Sequence, residues 1–153
     1  STPIKSSAAS DVYKRQVINL TTKDLAYATD WCGVKTGAKV DKFKEMKLTK
    51  EKANFVNCPM IKESPVSVEC KVKEIRELGS HHMFVAEILG INADEKYINE
   101  NGAFDISKCD LIAYSNGNYY SLGKKIGRFG FSVQKKKKTA KKSGKTIDKK
   151  RKK

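Results

Sequence analysis

Apolar and polar residues alternate along the middle of the chain, over residues 66–72. The apolar positions are Val66, Val68, Cys70 and Val72. Because consecutive side chains of a strand point to opposite faces of a sheet, this pattern predicts a half-buried β-strand. The alternation slips by one residue at Lys73-Glu74 and resumes at Ile75, which predicts a β-bulge at that point.

Further strands are predicted towards the C-terminal half. Residues 83–89 are apolar on both faces, a pattern that predicts a central strand covered on both sides. Two short stretches, 111–115 and 118–122, flank Asn116-Gly117. This dipeptide tolerates the positive φ angles of a type I′ turn, so the two stretches are predicted to form a β-hairpin.

Short helices are predicted between these strands. Thr21 offers an N-cap oxygen with Asp24 three positions later, and Gly33 is expected to end the helix that follows. Two further helical turns are predicted, at 41–46 and 49–52, each beginning at a residue that can cap it. Several strands with only short helices between them favour a mainly β fold, an antiparallel barrel or α+β arrangement.

Charge and composition divide the chain into three parts. Residues 1–16 show neither helical nor strand periodicity, so we expect a non-native or disordered leader, followed by a domain over 17–133. Residues 135–153 carry 12 of the 32 Lys and Arg against one Asp, a net +11 that leaves only +4 for residues 1–134. We expect the lysine-rich tail, residues 134–153, to be disordered, because it offers little apolar surface to bury.

The four cysteines show no CxxC pair and no spacing typical of a zinc site, so free thiols and no metal are expected. No signal peptide is recognised, which favours the cytoplasm. No apolar run approaches the roughly 20 residues that span a bilayer. We therefore expect no transmembrane helix and no membrane partner.

Three segments of the chain resemble one protein family in the correct order. They contain GVKTG with DKF, then ECKVKEI with GSHHMFVAE, and finally AYSNGNYYSLG. Together they are similar to the flavin reductase-like, flavoredoxin-type FMN-binding split barrels, from about Val17 to Val133. The resemblance implies part of a Greek-key split barrel, a homodimer with FMN near its subunit interface, and NAD(P)H or a redox protein as electron source. In that family further strands precede Val17 and hold much of the flavin, and residues 1–16 do not resemble them, so we expect an incomplete site and an N-terminally truncated domain.

The candidate cofactor-binding residues begin in a basic loop after Gly33. Its members are Lys35, Thr36, Lys39 and Lys42. Glycines in the loop allow backbone N–H groups to approach an anion such as the FMN phosphate, whereas the alternative is an ordinary solvated loop. The resemblance implies that Lys42, in the DKF motif, contacts flavin.

Histidine and tyrosine supply the other candidates. His81 and His82 open a strand, so only one of them can face a pocket, and an ordinary turn histidine is what the sequence alone favours. The resemblance implies a histidine near FMN, for which we choose His81. It also implies an aromatic residue of the hairpin over the flavin ring, for which we choose Tyr120. Packing is the alternative for the hairpin tyrosines and for Trp31.

A flavin reductase-type NAD(P)H:FMN oxidoreductase is the leading hypothesis. The alternative is a non-catalytic module whose lysine-rich tail binds nucleic acid with salt-dependent affinity. That alternative lacks residues that could recognise bases, because residues 135–153 contain no aromatic side chain among the lysines.

Overall fold

The computed structural model describes residues 15–134. Most of the predicted leader, residues 1–14, and residues 135–153 of the predicted tail lie outside the described residues. The chain divides into two compact units, Ser1–Leu122 and Gly123–Lys153, and each is described by itself below.

The described part of the first unit is built mainly from strands. They are β1 Arg15–Asn19, β2 Lys50–Lys52, β3 Pro59–Ile61, β4 Val66–Leu78, β5 His81–Ala93, β6 Ile112–Ser115 and β7 Asn118–Ser121. The helices are α1 Ala26–Val34 and α2 Lys42–Glu45, with 3₁₀ turns at Glu95–Tyr97 and Ile106–Lys108. The strands pair antiparallel in the orders β1-β4-β5, β2-β3 and β6-β7, and in residues 15–134 these sheets do not close on themselves. The predicted mainly β fold with short helices is confirmed.

Two register shifts bend the long ribbon formed by β4 and β5. One lies between Val72 and Glu74, which confirms the bulge predicted at Lys73. The other lies between Glu69 and Cys70, where the pairing slips past Leu89, and no break in the alternation marks it. A bulge places two residues of one strand opposite one of the other and increases the local twist.

The prediction that residues 83–89 form a central strand is wrong for the described sheet. β4 is the middle strand, whereas β5 lies at the edge. Met83 and Ile88 are exposed by 40% and 60%, so the apolar run does not reflect burial on both faces within this chain.

At the base of the ribbon, residues 66–72 with 86–93, both faces are buried, with Glu69 on one face and Val66, Cys70 and Val72 on the other, so the prediction of a half-buried strand is wrong there. One cluster of the core lies on the Glu69 face. Ala53, Val56 and Met60 are buried there, and partly buried side chains from β1 and β5 pack against them. The connection between β2 and β3 therefore lies over the sheet. Its Phe55 ring lies so close to Gly90 that a Cβ added at Gly90 would come within 2.4 Å of a ring atom, so the close approach depends on glycine.

The helix predictions are partly wrong. Leu25 occupies the N-cap position of α1 without a side-chain cap, and Gly33 lies inside the helix, which continues through Val34. In α2 the predicted cap is confirmed, since the Asp41 carboxylate accepts hydrogen bonds from the amides of Phe43 and Lys44. The helical turn predicted at 49–52 is instead strand β2, because it pairs with β3.

The predicted hairpin of β6 and β7 is confirmed. Asn116 and Gly117 have φ angles of 48° and 78°, the two positive values that a type I′ turn requires. Ser115 pairs with Asn118 directly across the turn.

The four cysteines are free thiols: Cys70 and Cys109 are buried, and Cys32 and Cys58 are half-buried. Burial raises the pKa of the Cys58 and Cys109 thiols. Between residues 15 and 134, no group of three or more His, Cys, Asp or Glu is placed to hold a metal ion. None of the helices described there combines the length and apolar character needed to cross a bilayer.

Candidate functional site

The basic loop predicted from the sequence connects α1 to α2. Lys35, Thr36 and Lys39 are exposed. A turn holds the loop, since the Lys39 amide donates to the Thr36 carbonyl oxygen over 3.2 Å. A shallow, open cavity of about 560 Å³ lies beside it, lined by Gly37, Ala38, Lys39, Val40, Asp41, Lys42 and Lys50.

The charges around this cavity are mainly positive. Lys39, Lys42 and Lys50 come from the loop, α2 and β2 respectively, and none of them forms an ion pair with a residue that the structure describes. Asp41 is the acid of the lining, but its carboxylate oxygen faces the Phe43 and Lys44 amides at 3.0 and 3.3 Å. The fold therefore places three lysines around one hollow; the Nζ of Lys42 is bound to a carbonyl oxygen, and that of Lys50 lies over the Phe43 ring, 5.0 Å from its centroid.

Lys42 is bound to the last turn of α1. Its Nζ donates a hydrogen bond to the carbonyl oxygen of Cys32, 2.5 Å away. The last carbonyls of a helix have no partner within the helix and carry partial negative charge, so an ammonium group stabilises them. In this structure Lys42 thus ties α2 to α1.

The hairpin contacts the middle of α1. The Tyr119 hydroxyl donates to Asp30 Oδ1 over 3.2 Å, and the Tyr114 ring lies 5.0 Å from the Tyr119 ring between centroids. Partial burial, together with the hydrogen bond to the Asp30 carboxylate, raises the pKa of Tyr119. Asp30 lies two residues before Cys32, so α1 contacts the hairpin through Asp30 and the first residue of α2 through Cys32.

Tyr120 does not share this contact. It pairs with Ala113 across the hairpin and is 52% exposed. Consecutive strand residues point to opposite faces, so its ring lies on the face of the hairpin away from that of Tyr119. Sequence reasoning missed Tyr119 and Asp30, because no local pattern distinguishes the tyrosine that reaches a helix from the one beside it.

The two histidines lie at the far end of the β4–β5 ribbon. His81 Nδ1 is 2.8 Å from Ser80 Oγ, and His82 Nε2 is 3.9 Å from Glu77 Oε1. Both side chains are exposed, and with the described residues they form no hydrogen bond or ion pair to the lysine loop or to the hairpin. Within one chain, α1 contacts the candidate Lys42 and, through Asp30, Tyr119, whereas neither the candidate Tyr120 nor the histidines take part in these contacts.

Glu69 is a second group that sequence reasoning missed. The alternation places it on the polar face of β4, yet its side chain is fully buried. Its carboxylate accepts hydrogen bonds from the amides of Asn54, Phe55 and Val56 at 2.6–3.0 Å and from Asn92 Nδ2 at 2.8 Å. Burial raises the pKa of Glu69, but these hydrogen bonds outweigh it and hold that pKa below its ordinary value. These hydrogen-bond partners lie 13 to 23 positions from Glu69 in the sequence, so no short sequence motif predicts the contacts.

Comparison with solved structures shows which class of fold this chain has. Flavoredoxin of Desulfovibrio vulgaris (Miyazaki F) superposes with a TM-score of 0.74 at 22% identity, over 88% of this chain and 74% of that one. A flavoredoxin from Methanosarcina acetivorans gives 0.68 at 29% identity, over 81% and 68%. An FMN-binding protein from Thermus thermophilus gives 0.61 at 16% identity, over 82% and 68%. The fold is that of flavin reductase-like split barrels.

The family follows from the sequence match. Residues 5–123 match the model of the flavin reductase like domain, so the chain belongs to that family. The match begins within the segment 1–16 that the sequence pattern set aside, and the nature of those residues stays a prediction. An uncharacterized protein of Aquifex aeolicus is 29% identical over 107 residues, which are 70% of this chain and 55% of that protein. The chain spans about half the length of the curated relatives it matches.

Proposed function

We propose that the chain is an FMN-binding oxidoreductase of the flavin reductase type, which passes hydride or electrons between NAD(P)H, or a redox protein, and the flavin. Family membership supports a flavin, and so does the name of the FMN-binding protein that shares the fold. The observation that carries the proposal is the junction at α1, where Lys42 and Tyr119 bind Cys32 and Asp30. A flavin offers an anionic phosphate and a flat ring, which a cationic and an aromatic surface complement, and α1 contacts one element that carries each.

The cavity beside the loop fits the phosphate end of FMN. A phosphate dianion accepts several hydrogen bonds, and Lys39, Lys42 and Lys50 line one open hollow with two small residues, Gly37 and Ala38, that allow close approach. Lys42 would exchange the Cys32 carbonyl for a phosphate oxygen. Lys39 and Lys50 need no such exchange, because neither has a hydrogen-bond acceptor among the described residues.

On the side of α1, the rings of Tyr114 and Tyr119 would line the ring end of the site. Tyr120, which the resemblance implied, lies on the other face of the hairpin and would contact a flavin only there. His81 or His82 would come from a second copy of the chain, since the ribbon tip does not meet the loop in one copy. A homodimer would also cover apolar side chains that one face of the ribbon leaves exposed, namely Ile75, Phe84, Ile88 and Ile91.

When bound, FMN supplies hydride and electron transfer, chemistry that amino-acid side chains do not offer. The residues of this chain would bind and orient it. The lysines would fix the phosphate, the tyrosines would exclude water from one side of the ring, and a histidine would hydrogen-bond to its edge. We place this activity in the cytoplasm, with the preference between NADH and NADPH left to the experiment.

Titration of FMN into the 153-residue chain, followed by quenching of flavin fluorescence, tests the proposal. We expect saturable binding that Lys39→Ala weakens by about tenfold, the effect of one lost charge-assisted hydrogen bond. Lys44→Ala is the matched control, since Lys44 lies on α2 but does not line the cavity. A chain that leaves FMN fluorescence unchanged would defeat the proposal.

Reduction is tested separately, by the loss of flavin absorbance after NADH or NADPH is added without oxygen. Bleaching by either nucleotide supports the reductase function. Binding of FMN without bleaching by either would leave a redox protein as the electron source.

A further inference from the structure

The chain contains two Asn-Gly pairs, Asn101-Gly102 and Asn116-Gly117. Asparagine is a thermally labile residue, and a following glycine makes it more so, because glycine has no side chain to shield its own backbone amide. Both pairs are exposed, and both glycines have a positive φ, 74° at Gly102 and 78° at Gly117. Sequence and exposure therefore do not distinguish the two pairs, but their hydrogen bonds do.

Asn101-Gly102 lies in a closed loop. The Gly102 amide donates to the Asn99 carbonyl oxygen over 2.9 Å, and the Asn99 amide donates to the Ala103 carbonyl oxygen over 2.9 Å. Asn99 Oδ1 accepts from the amides of Asn101 and Ala103 at 2.9 and 3.0 Å. These bonds must break before the Gly102 nitrogen can lose its proton and turn towards the Asn101 side chain.

Asn116-Gly117 lacks this protection. The Gly117 amide and the Asn116 side chain form no hydrogen bond with any residue that the structure describes. The backbone carbonyl of Asn116 accepts a hydrogen bond from Asn118 Nδ2 over 3.0 Å, which leaves the reacting nitrogen and the side-chain amide free.

The hairpin that carries this pair can also open easily. β6 and β7 have four residues each and form a two-stranded sheet, and hairpins of this kind are only marginally stable in water. The hydrogen bonds of Ile112 to Thr21 and of Tyr119 to Asp30 hold its strands, not its turn. Local opening frees the backbone rotation that brings the Gly117 nitrogen to Asn116 Cγ.

We propose that Asn116 is a site of spontaneous deamidation, from which Asn101 is protected. The Gly117 nitrogen gives up its proton and attacks Asn116 Cγ, so that a C–N bond forms and the side-chain nitrogen leaves as ammonia. Water then opens the resulting succinimide at one of its two carbonyls, which gives aspartate or isoaspartate. The net reaction consumes one water, releases one ammonia and needs no oxidant or enzyme.

The isoaspartate product alters the hairpin. Its backbone runs through the side-chain carbons and is one methylene longer, so the two-residue turn no longer fits between Ser115 and Asn118, which pair directly across it. The modification therefore loosens the element that carries Tyr119 to α1.

Incubation of the full chain in mildly alkaline buffer, followed by tryptic digestion and mass spectrometry, tests the proposal. Cleavage after Lys108 puts the two pairs in different peptides. We expect Asn116 to deamidate at least about tenfold faster than Asn101 in the folded chain, the factor that one ordinary hydrogen bond supplies. In concentrated urea the two rates should become similar, because glycine follows both residues.

Two variants sharpen the test. Asn99→Ala removes the side-chain acceptor of the closed loop, so deamidation at Asn101 should accelerate while that at Asn116 stays unchanged. Asn116→Gln should abolish the modification in the hairpin, because the longer side chain closes a ring far more slowly, and should leave Asn101 as it was.

The parent chain gives the decisive result, so no variant needs to fold. Equal rates at the two pairs in the folded chain, faster deamidation at Asn101, or a folded chain stable at both while the denatured chain converts would each overturn the proposal. Hydrogen exchange of the isoaspartate form, separated by ion exchange, tests the consequence. Faster exchange of the β6 and β7 amides is expected, and unchanged exchange would refute the loosening of the hairpin.

Discussion

The two ends of the β4–β5 ribbon share their strands and differ in almost everything else. The base, residues 66–72 with 86–93, pairs with β1 and lies under the connection that carries Phe55. Val66, Cys70 and Val72 are buried there. The tip, residues 74–85, pairs only with itself in the described sheet, and its apolar side chains are exposed.

This difference shows that alternation along a strand reports what a strand can bury, not what covers it. Similar apolar patterns occur at both ends, but in the described sheet only the base pairs with a third strand, β1. Glu69 supplies the clearest example, since a carboxylate that would be solvated at the tip instead organises three backbone amides at the base.

Replacing Glu69 should lower the stability of the protein more than any other substitution proposed here. Glu69→Ala leaves three amides and Asn92 without their acceptor, so we expect the free energy of unfolding to fall by about 3–5 kcal/mol. Urea denaturation measures it. Glu77→Ala, at the exposed tip, is the matched control and should stay within about 0.5 kcal/mol. Equal effects of the two substitutions would remove the distinction between base and tip.

Acid should weaken the same interaction. The pKa of Glu69 is lower in the folded chain than in the unfolded one, so its contribution is complete above the ordinary carboxyl pKa, about 4.3, and is lost as the pH falls through the folded value. Denaturation of the parent chain and of Glu69→Gln between neutral and acid pH isolates this group, since the other carboxylates are common to both. We expect the stability difference to shrink towards acid; a constant difference would contradict the assignment.

Truncating an apolar side chain should also cost more stability at the base than at the tip, but the difference should be smaller than for the glutamates. Val72→Ala removes buried methyl groups and is expected to cost about 2 kcal/mol. Ile75→Ala, three residues along the same strand but 42% exposed, should cost less than about 1 kcal/mol in the monomer. If a second copy covers the tip, the cost of Ile75→Ala should grow with protein concentration, which thermal unfolding at several concentrations detects.

The hairpin turn should give the smallest effect. Gly117 has a φ of 78°, so Gly117→Ala strains a left-handed position by about 1 kcal/mol. Ser115→Ala, on the other side of the turn at an ordinary φ, is the control. Hydrogen exchange of the β6 and β7 amides reports the change; faster exchange in the Ser115 variant alone would show that the turn conformation is not what secures the hairpin.

Features set by neighbouring residues were predictable from the sequence. The bulge at Lys73, the Asp41 cap and the turn at Asn116-Gly117 depend on two to six consecutive residues, and all three occur in the structure. Features set by distant residues were not. Lys50 was assigned to a helical turn because its partner strand β3 lies nine or more positions away, and Glu69 was left on a polar face because nothing nearby shows that a loop covers it.

The candidate site divides in the same way. The lysine loop was visible as glycine-spaced cations, but the contacts that join it to the hairpin run through Asp30 and Cys32, which carry no local signal. The choices of Tyr120 and His81 come from the family resemblance, and both stay predictions.

The central claim is that α1 joins the lysine loop and the tyrosine hairpin into one flavin-binding wall. Hydrogen exchange measured with and without FMN tests it most directly. We predict that amides of α1, of residues 35–42 and of β6–β7 gain protection together, at the same FMN concentration. Protection of the loop without the hairpin, or of neither, would contradict the claim.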